Sequence, residues 1–145
     1  MKKLNTIGFT KKSAREFFEL LQANSVRVLA DIRLNNTSQL AGFTKSPDLE
    51  YFLSLVGISY IYWPQVAPTK EIFTRYKDDG DWEAMEKAYR AHIETSGAID
   101  DRILSEVRKG DVCLLCSEAA PEKCHRRLLA EMIRDLVHDV EIRHL

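Results

Sequence analysis

Residues 112–127 read VCLLCSEAAPEKCHRR: a short run that is apolar at every position, a polar turn with proline, then a histidine and two arginines. A strand of this kind suits a sheet buried on both faces, which is the habit of parallel sheets layered by helices. The residues after the turn change period. Leu128, Leu129, Met132, Ile133 and Leu136 recur at helical spacing, so the stretch predicts strand, turn and helix in that order, with Pro121 opening the helix.

The same alternation runs outward in both directions. Leu4 to Ile7 is β-like and ends at Gly8; Ser13-Ala-Arg-Glu16 then fits a capping box ahead of Phe17, Leu20 and Leu21. Val26 to Ile32 predicts a second strand. Ser46-Pro47 starts a helix with Leu49, Phe52, Leu53 and Val56 on its stripe and Gly57 at its end, and Ile58 to Trp63 is a third strand. Helices are expected from near Asp81 to Gly97 and through Ile99, Ile103, Leu104 and Val107 to Gly110. Val140 to Leu145 closes the chain as a strand. The stretch from Gln65 to Asp81 lacks a period and reads as a solvated connection, with a lid as the alternative. The expectation is one α/β domain over residues 1–145, with a mainly parallel central sheet of about five strands flanked by helices on both faces.

Composition narrows the classes. At 145 residues with 45% hydrophobic and 30% charged content the chain can bury a core of its own. No apolar run approaches the roughly 20 residues of a membrane helix, and no secretory h-region follows the N-terminal lysines. A net charge of −1 supplies no global attraction to nucleic acid. Three cysteines, an odd number, argue against a disulfide framework. The expectation is a cytoplasmic protein with reduced cysteines.

Ligands of parallel α/β sheets bind beyond the carboxyl ends of the strands, and polar or titratable residues gather there beside Gly8: Thr10, Asp31, Arg33, Asn35, Ser38, Cys116, Ser117, Glu118, Cys124, His125 and Arg126. A structural zinc is disfavoured, because Cys113 and Cys116 lie three apart in a strand and face opposite sides, and C-x₇-C-H is not a usual ligand spacing. Cys113 reads as a core hydrophobe. No metal and no cofactor are expected. A Cys116–Cys124 pairing stays open, with unrelated buried thiols as the simpler reading. The helix start offers free N–H groups to an anion. Helical phase places His125 on the centre of the apolar face, Arg126 at its edge and Arg127 opposite, beside Glu131. Cys124 near that helix end is a candidate nucleophile. Glu118 and Asp31 are candidates for general acid and base, although a salt bridge from Asp31 to Arg33 explains that aspartate equally well.

TIGFT near the start, DIR at the second strand end, and CSE followed by CHR resemble the signature of domain-of-unknown-function family 488, in matching order over nearly the whole chain. Where the family usually reads Gly-His-Ser, this chain has Gly8-Phe9-Thr10, and Asn35 or Asn36 stands where a proline often follows the DxR motif. The resemblance implies an α/β domain with a polar site built from these motifs, and it implies no reaction.

The leading expectation is a pocket at the strand ends that takes a nucleotide or other small anionic, phosphate-bearing ligand. Arg33, Arg126 and helix N–H groups would hold the anion, with Gly8, Thr10, Asn35, Ser38 and Ser117 around it. Cys116, Glu118, Cys124, His125 and Asp31 would supply any catalysis, of hydrolase or transferase type. The second reading is a non-catalytic nucleic-acid-binding module along Lys123, Arg126, Arg127 and Arg134. The third is a thiol- or metal-based sensor.

Overall fold

Five strands form one all-parallel sheet, described in a computed structural model for residues 1–37, 42–118 and 120–145. The strands are β1 (Lys2–Gly8), β2 (Val28–Asp31), β3 (Ser59–Tyr62), β4 (Val112–Cys116) and β5 (Val140–His144), in the order β3-β2-β4-β1-β5. Strand β4 is central, and all five of its residues are buried. Full burial of an aliphatic side chain contributes roughly 1.5–3 kcal/mol, so this strand anchors the sheet.

The helices are α1 (Ala14–Ala23), α2 (Ser46–Leu55), α3 (Lys70–Asp79), α4 (Trp82–Ser96), α5 (Asp101–Lys109) and α6 (His125–Val137). Phe17, Leu21, Leu49 and Leu53 from α1 and α2 meet Ile7, Leu29, Cys113 and Leu115 on one face. Met85, Tyr89, Ile103, Val107, Leu129 and Ile133 from α4, α5 and α6 meet Leu4, Val28, Leu114 and Cys116 on the other. Strand alternation thus separates Cys113 from Cys116, as the period of two requires. Right-handed crossovers explain the two layers: α1 and α2 carry the chain one way along the sheet, α6 carries it the other way over β1. The reversal opens a crevice beyond the carboxyl ends of β1, β2 and β4.

Caps account for the helix starts. Ser13 accepts from Glu16 N–H, Thr69 from Ile72, Asp81 from Ala84 and Asp100 from Ile103. Two elements depart from the sequence expectation. The stretch read as an irregular connection contains α3, which runs from the Thr69 cap to Gly80, whose φ of 64° ends it. The last helix begins at His125 rather than Pro121. Cys124 is extended at φ −138° and its N–H is bonded to the Pro121 carbonyl in a turn, so the proline precedes the helix without joining it. The helix also ends on a more solvated face than the spacing predicts, since Leu136 is exposed. No helix among the described residues is long and apolar enough to cross a membrane.

Candidate functional site

At the carboxyl end of β1, Gly8 lies beside Cys116 of β4. A Cβ on Gly8 would land on the Glu118 carbonyl and come within 2.8 Å of Arg126 Nη1. Glycine there allows the loop after β4 to close over β1. Thr10 clasps the same loop, its N–H and Oγ1 donating to the Ser117 carbonyl at 3.1 and 2.5 Å.

Arg126 is fully enclosed. Its Nε donates to Thr6 Oγ1 at 3.2 Å, and its Nη1 donates to Cys116 Sγ at 3.3 Å and to the Glu118 carbonyl at 2.5 Å. Burial lowers its pKa, with the charges of Glu118 and Glu122 opposing. Helical phase put this residue at the edge of the apolar face; the structure turns it under the sheet's end, where it ties β1, β4 and the loop together. Arg127 occupies the flank, with Nη1 3.0 Å from Glu131 Oε2.

Asp31 and Arg33 are buried together at the end of β2. Arg33 Nε and Nη2 each donate at 2.8 Å to one oxygen of Asp31, Nη2 also donates to the Thr44 carbonyl at 2.7 Å, and Tyr60 donates to Asp31 Oδ2 at 2.6 Å. Burial and the contact with Asp31 push the Tyr60 hydroxyl pKa up, so it stays a donor. The guanidinium lies 5.7 Å from the centre of the Phe9 ring. Phe9 thus presents an aromatic face to this cation. Because Nε and Nη2 form the edge that faces Asp31, Nη1 projects from the opposite corner. That Nη1 is buried and has no hydrogen-bond partner among the described residues.

Arg33 lines a cavity of about 250 Å³ whose walls also include Leu34, Asn35, Phe73, Cys116, Ser117 and His125. Larger hollows of about 600, 560 and 330 Å³ lie on the flanks, one beside Asp100 and Asp101, one along α3 and one between α4 and α6. None contains a buried polar atom without a partner among the described residues. The strand-end cavity therefore carries the functional argument. His125 Nε2 is 2.8 Å from the Ile32 carbonyl, so this nitrogen carries the proton and donates. Burial pushes the His125 pKa down to about 4, with Arg126 adding to the effect and the Ile32 contact and Asp31 opposing it. The imidazole is neutral at pH 7.

The sulfurs of Cys116 and Cys124 lie at disulfide distance, and Cys113 is the free, buried cysteine. This corrects the expectation of reduced cysteines. The turn between β4 and α6, with Arg126 fixing its inner side, brings the strand end and the helix cap together. Both sulfurs and a ring nitrogen of His125 fall within 4.8 Å of one another. Coordination of a metal by these three groups would require both cysteines as thiolates, in place of a disulfide.

Of the residues singled out in the sequence, the cavity wall unites Arg33, Asn35, Cys116, Ser117 and His125. Cys124 stands behind Cys116, and Asp31 stands behind Arg33. Arg126, Gly8 and Thr10 shape the floor without lining the cavity. The Glu118 side chain is exposed, and only its carbonyl enters the network. Ser38 lies outside the described residues. Sequence reasoning missed Tyr60, Thr44 and Phe73. For Tyr60 the available signal was register, since Tyr60 pairs with Leu29 on the face that Asp31 shares. Thr44 and Phe73 reach the site through a turn and through α3, and carry no local signature.

The sequence profile of the family described as domain of unknown function DUF488 matches residues 13–133. The chain belongs to this family. The DUF488 match covers the Asp31–Arg33 corner and the Cys116–Arg126 turn and begins just after Gly8 and Thr10. No curated protein matches the chain significantly, and no solved structure does.

Proposed function

We propose that this DUF488 protein binds a small organic anion in the strand-end cavity, with Arg33 as the anchor. The observation that carries the reading is Arg33, a residue of that cavity wall whose buried Nη1 has no hydrogen-bond partner among the described residues. A buried donor left unsatisfied costs about 1–3 kcal/mol, and a carboxylate or phosphate oxygen would relieve that cost. Asp31 already balances the guanidinium charge, so the site offers directed N–H donors more than net positive charge.

Size refines the ligand class. A volume of about 250 Å³ lies below the roughly 300–1,000 Å³ of typical organic-ligand sites. The cavity encloses a carboxylate or phosphate group with a few carbons; in a nucleotide the base would project past Phe73, which is 40% exposed. Ser117 and Asn35 supply polar contacts, while Leu34 and Phe73 supply the apolar wall. The nucleic-acid reading has less support, because Arg127 is held by Glu131 and by the Glu122 carbonyl and leaves no open basic stripe around it.

Leu34 at the cavity mouth is 41% exposed, so Leu34→Glu introduces a repelling carboxylate without disturbing the core. Thermal melts in millimolar propionate, acetyl phosphate and inorganic phosphate should show stabilisation of the wild type that Leu34→Glu abolishes. Equal stabilisation of both proteins would overturn the assignment.

A further inference from the structure

The cavity has a covalent bond in its wall that anion binding does not use. We propose that the Cys116–Cys124 disulfide undergoes thiol–disulfide exchange with a small thiol carrying a carboxylate, seated with its carboxylate on Arg33 Nη1 and its sulfur against Cys116. Recognition of the thiol rests on the anion reading of the cavity; the exchange rests on separate features.

Cys116 lines the cavity and Cys124 does not. An entering thiolate therefore meets Cys116 Sγ first. Cys124 is the N-cap of α6, a helix of 13 residues, and its side chain caps no backbone N–H. A sulfur released there lies at the positive end of the helix, which favours the thiolate. Arg126 Nη1 already donates to Cys116 Sγ at 3.3 Å, so a cation also faces the other sulfur. A good leaving thiolate on one side and a charge-assisted donor on the other make the bond exchangeable. The third feature is Arg33, which lines the same cavity and has a buried Nη1 without a partner among the described residues; a donor there gives a carboxylated thiol an advantage over a neutral one.

In the first step the thiol loses its proton to solvent, and its thiolate attacks Cys116 Sγ. The sulfur–sulfur bond breaks and its electron pair leaves on Cys124 as a thiolate. A second thiolate then attacks the small molecule's sulfur in the mixed disulfide, releasing Cys116 thiolate and a symmetrical small-molecule disulfide. Two thiols are oxidised and the protein disulfide is reduced by two electrons. The reverse sequence, with the small disulfide as oxidant, re-forms the Cys116–Cys124 bond and releases two thiols.

The test uses the folded, oxidised protein with 3-mercaptopropionate and 2-mercaptoethanol at equal thiolate concentrations, quenched in acid and read by intact and peptide mass spectrometry. The mixed disulfide should map to Cys116 and form about tenfold faster with the carboxylated thiol, the scale of one charge-assisted hydrogen bond. Thiol-free propionate should slow that reaction, and Leu34→Glu should bring the ratio of the two rates near one. No exchange under native conditions, while the urea-unfolded protein is readily reduced, would overturn the proposal even if propionate still stabilises the fold. Adducts on Cys124 rather than Cys116 would overturn it as well. Equal rates with the two thiols would refute carboxylate recognition at Arg33, and absence of propionate stabilisation would extend that failure to the anion reading itself.

Discussion

Acid should destabilise this fold through His125 in a pH window set by its burial. The pKa of the ring falls from 6.5 to about 4 on folding. One pKa unit corresponds to about 1.4 kcal/mol, so the full displacement amounts to about 3 kcal/mol. The sign follows from proton counting. Between these two values the unfolded chain binds a proton that the folded chain refuses, so stability rises with pH there. The contribution is fully present above pH 6.5 and is lost as the pH falls toward 4. Arg126 adds to the lowering, while Asp31 and the Ile32 carbonyl moderate it. Urea unfolding of the oxidised protein at several pH values from 7.5 to 4.5 measures the slope. His125→Gln keeps an N–H that can reach the Ile32 carbonyl and removes the titration, so its slope should be shallower by about 2–3 kcal/mol over the window. Carboxylates elsewhere titrate in both proteins and cancel in the difference. Identical pH dependence in the two proteins would refute the claim that the imidazole is held neutral by burial.

Two further substitutions test the floor and the corner of the site. Gly8→Ala should cost more than about 3 kcal/mol in chemical denaturation, the range reserved for overpacking against rigid backbone; a loss under about 0.5 kcal/mol would show that the loop after β4 does not close over β1 as described. Asp31→Asn leaves the buried Arg33 charge without its carboxylate and should cost about 3–5 kcal/mol, whereas Tyr60→Phe, which removes one hydrogen bond to the same carboxylate, should cost about 1.5–3 kcal/mol. A larger loss for Tyr60→Phe than for Asp31→Asn would contradict the Asp31–Arg33 pair as the centre of that network.

The elements legible in the sequence are those whose apolar residues keep a period. Strand β4 declares itself because every residue is buried, and α4 because Met85, Tyr89 and Ile93 repeat at helical spacing. Helix α3 has no fully buried residue; its short stripe of Ile72 and Tyr76 is only partly buried against the core, and its Thr69 and Gly80 caps mark its ends. Strand order was never legible, since β4 enters between β2 and β1 through pairings more than 80 residues apart in sequence for β2 and more than 100 for β1. The disulfide escaped for a related reason. An odd cysteine count describes the pool of thiols, whereas pairing depends on where a strand end and a helix cap meet. The start of α6 falls four residues after Pro121, which leaves the phase of Arg126 unchanged: it sits by the apolar face and reaches inward at the helix start.

Arg33 and Arg126 show how two arginines at strand ends acquire different chemistry. Arg126 follows the turn into α6 and points beneath the sheet, where Thr6, Cys116 and the Glu118 carbonyl surround it. Its exposure is nil, and it lies off the cavity wall. Arg33 follows Asp31 by two residues, a spacing that folds its Nε–Nη2 edge back onto the carboxylate and leaves Nη1 on the far corner. The pairing that neutralises Arg33 is thus what orients its remaining donor. Removing Asp31 would free more charge for a ligand and lose the direction. For that reason, anion affinity in Asp31→Asn should fall rather than rise wherever the variant remains folded, and a rise would show that net charge, not an aimed N–H, governs the cavity.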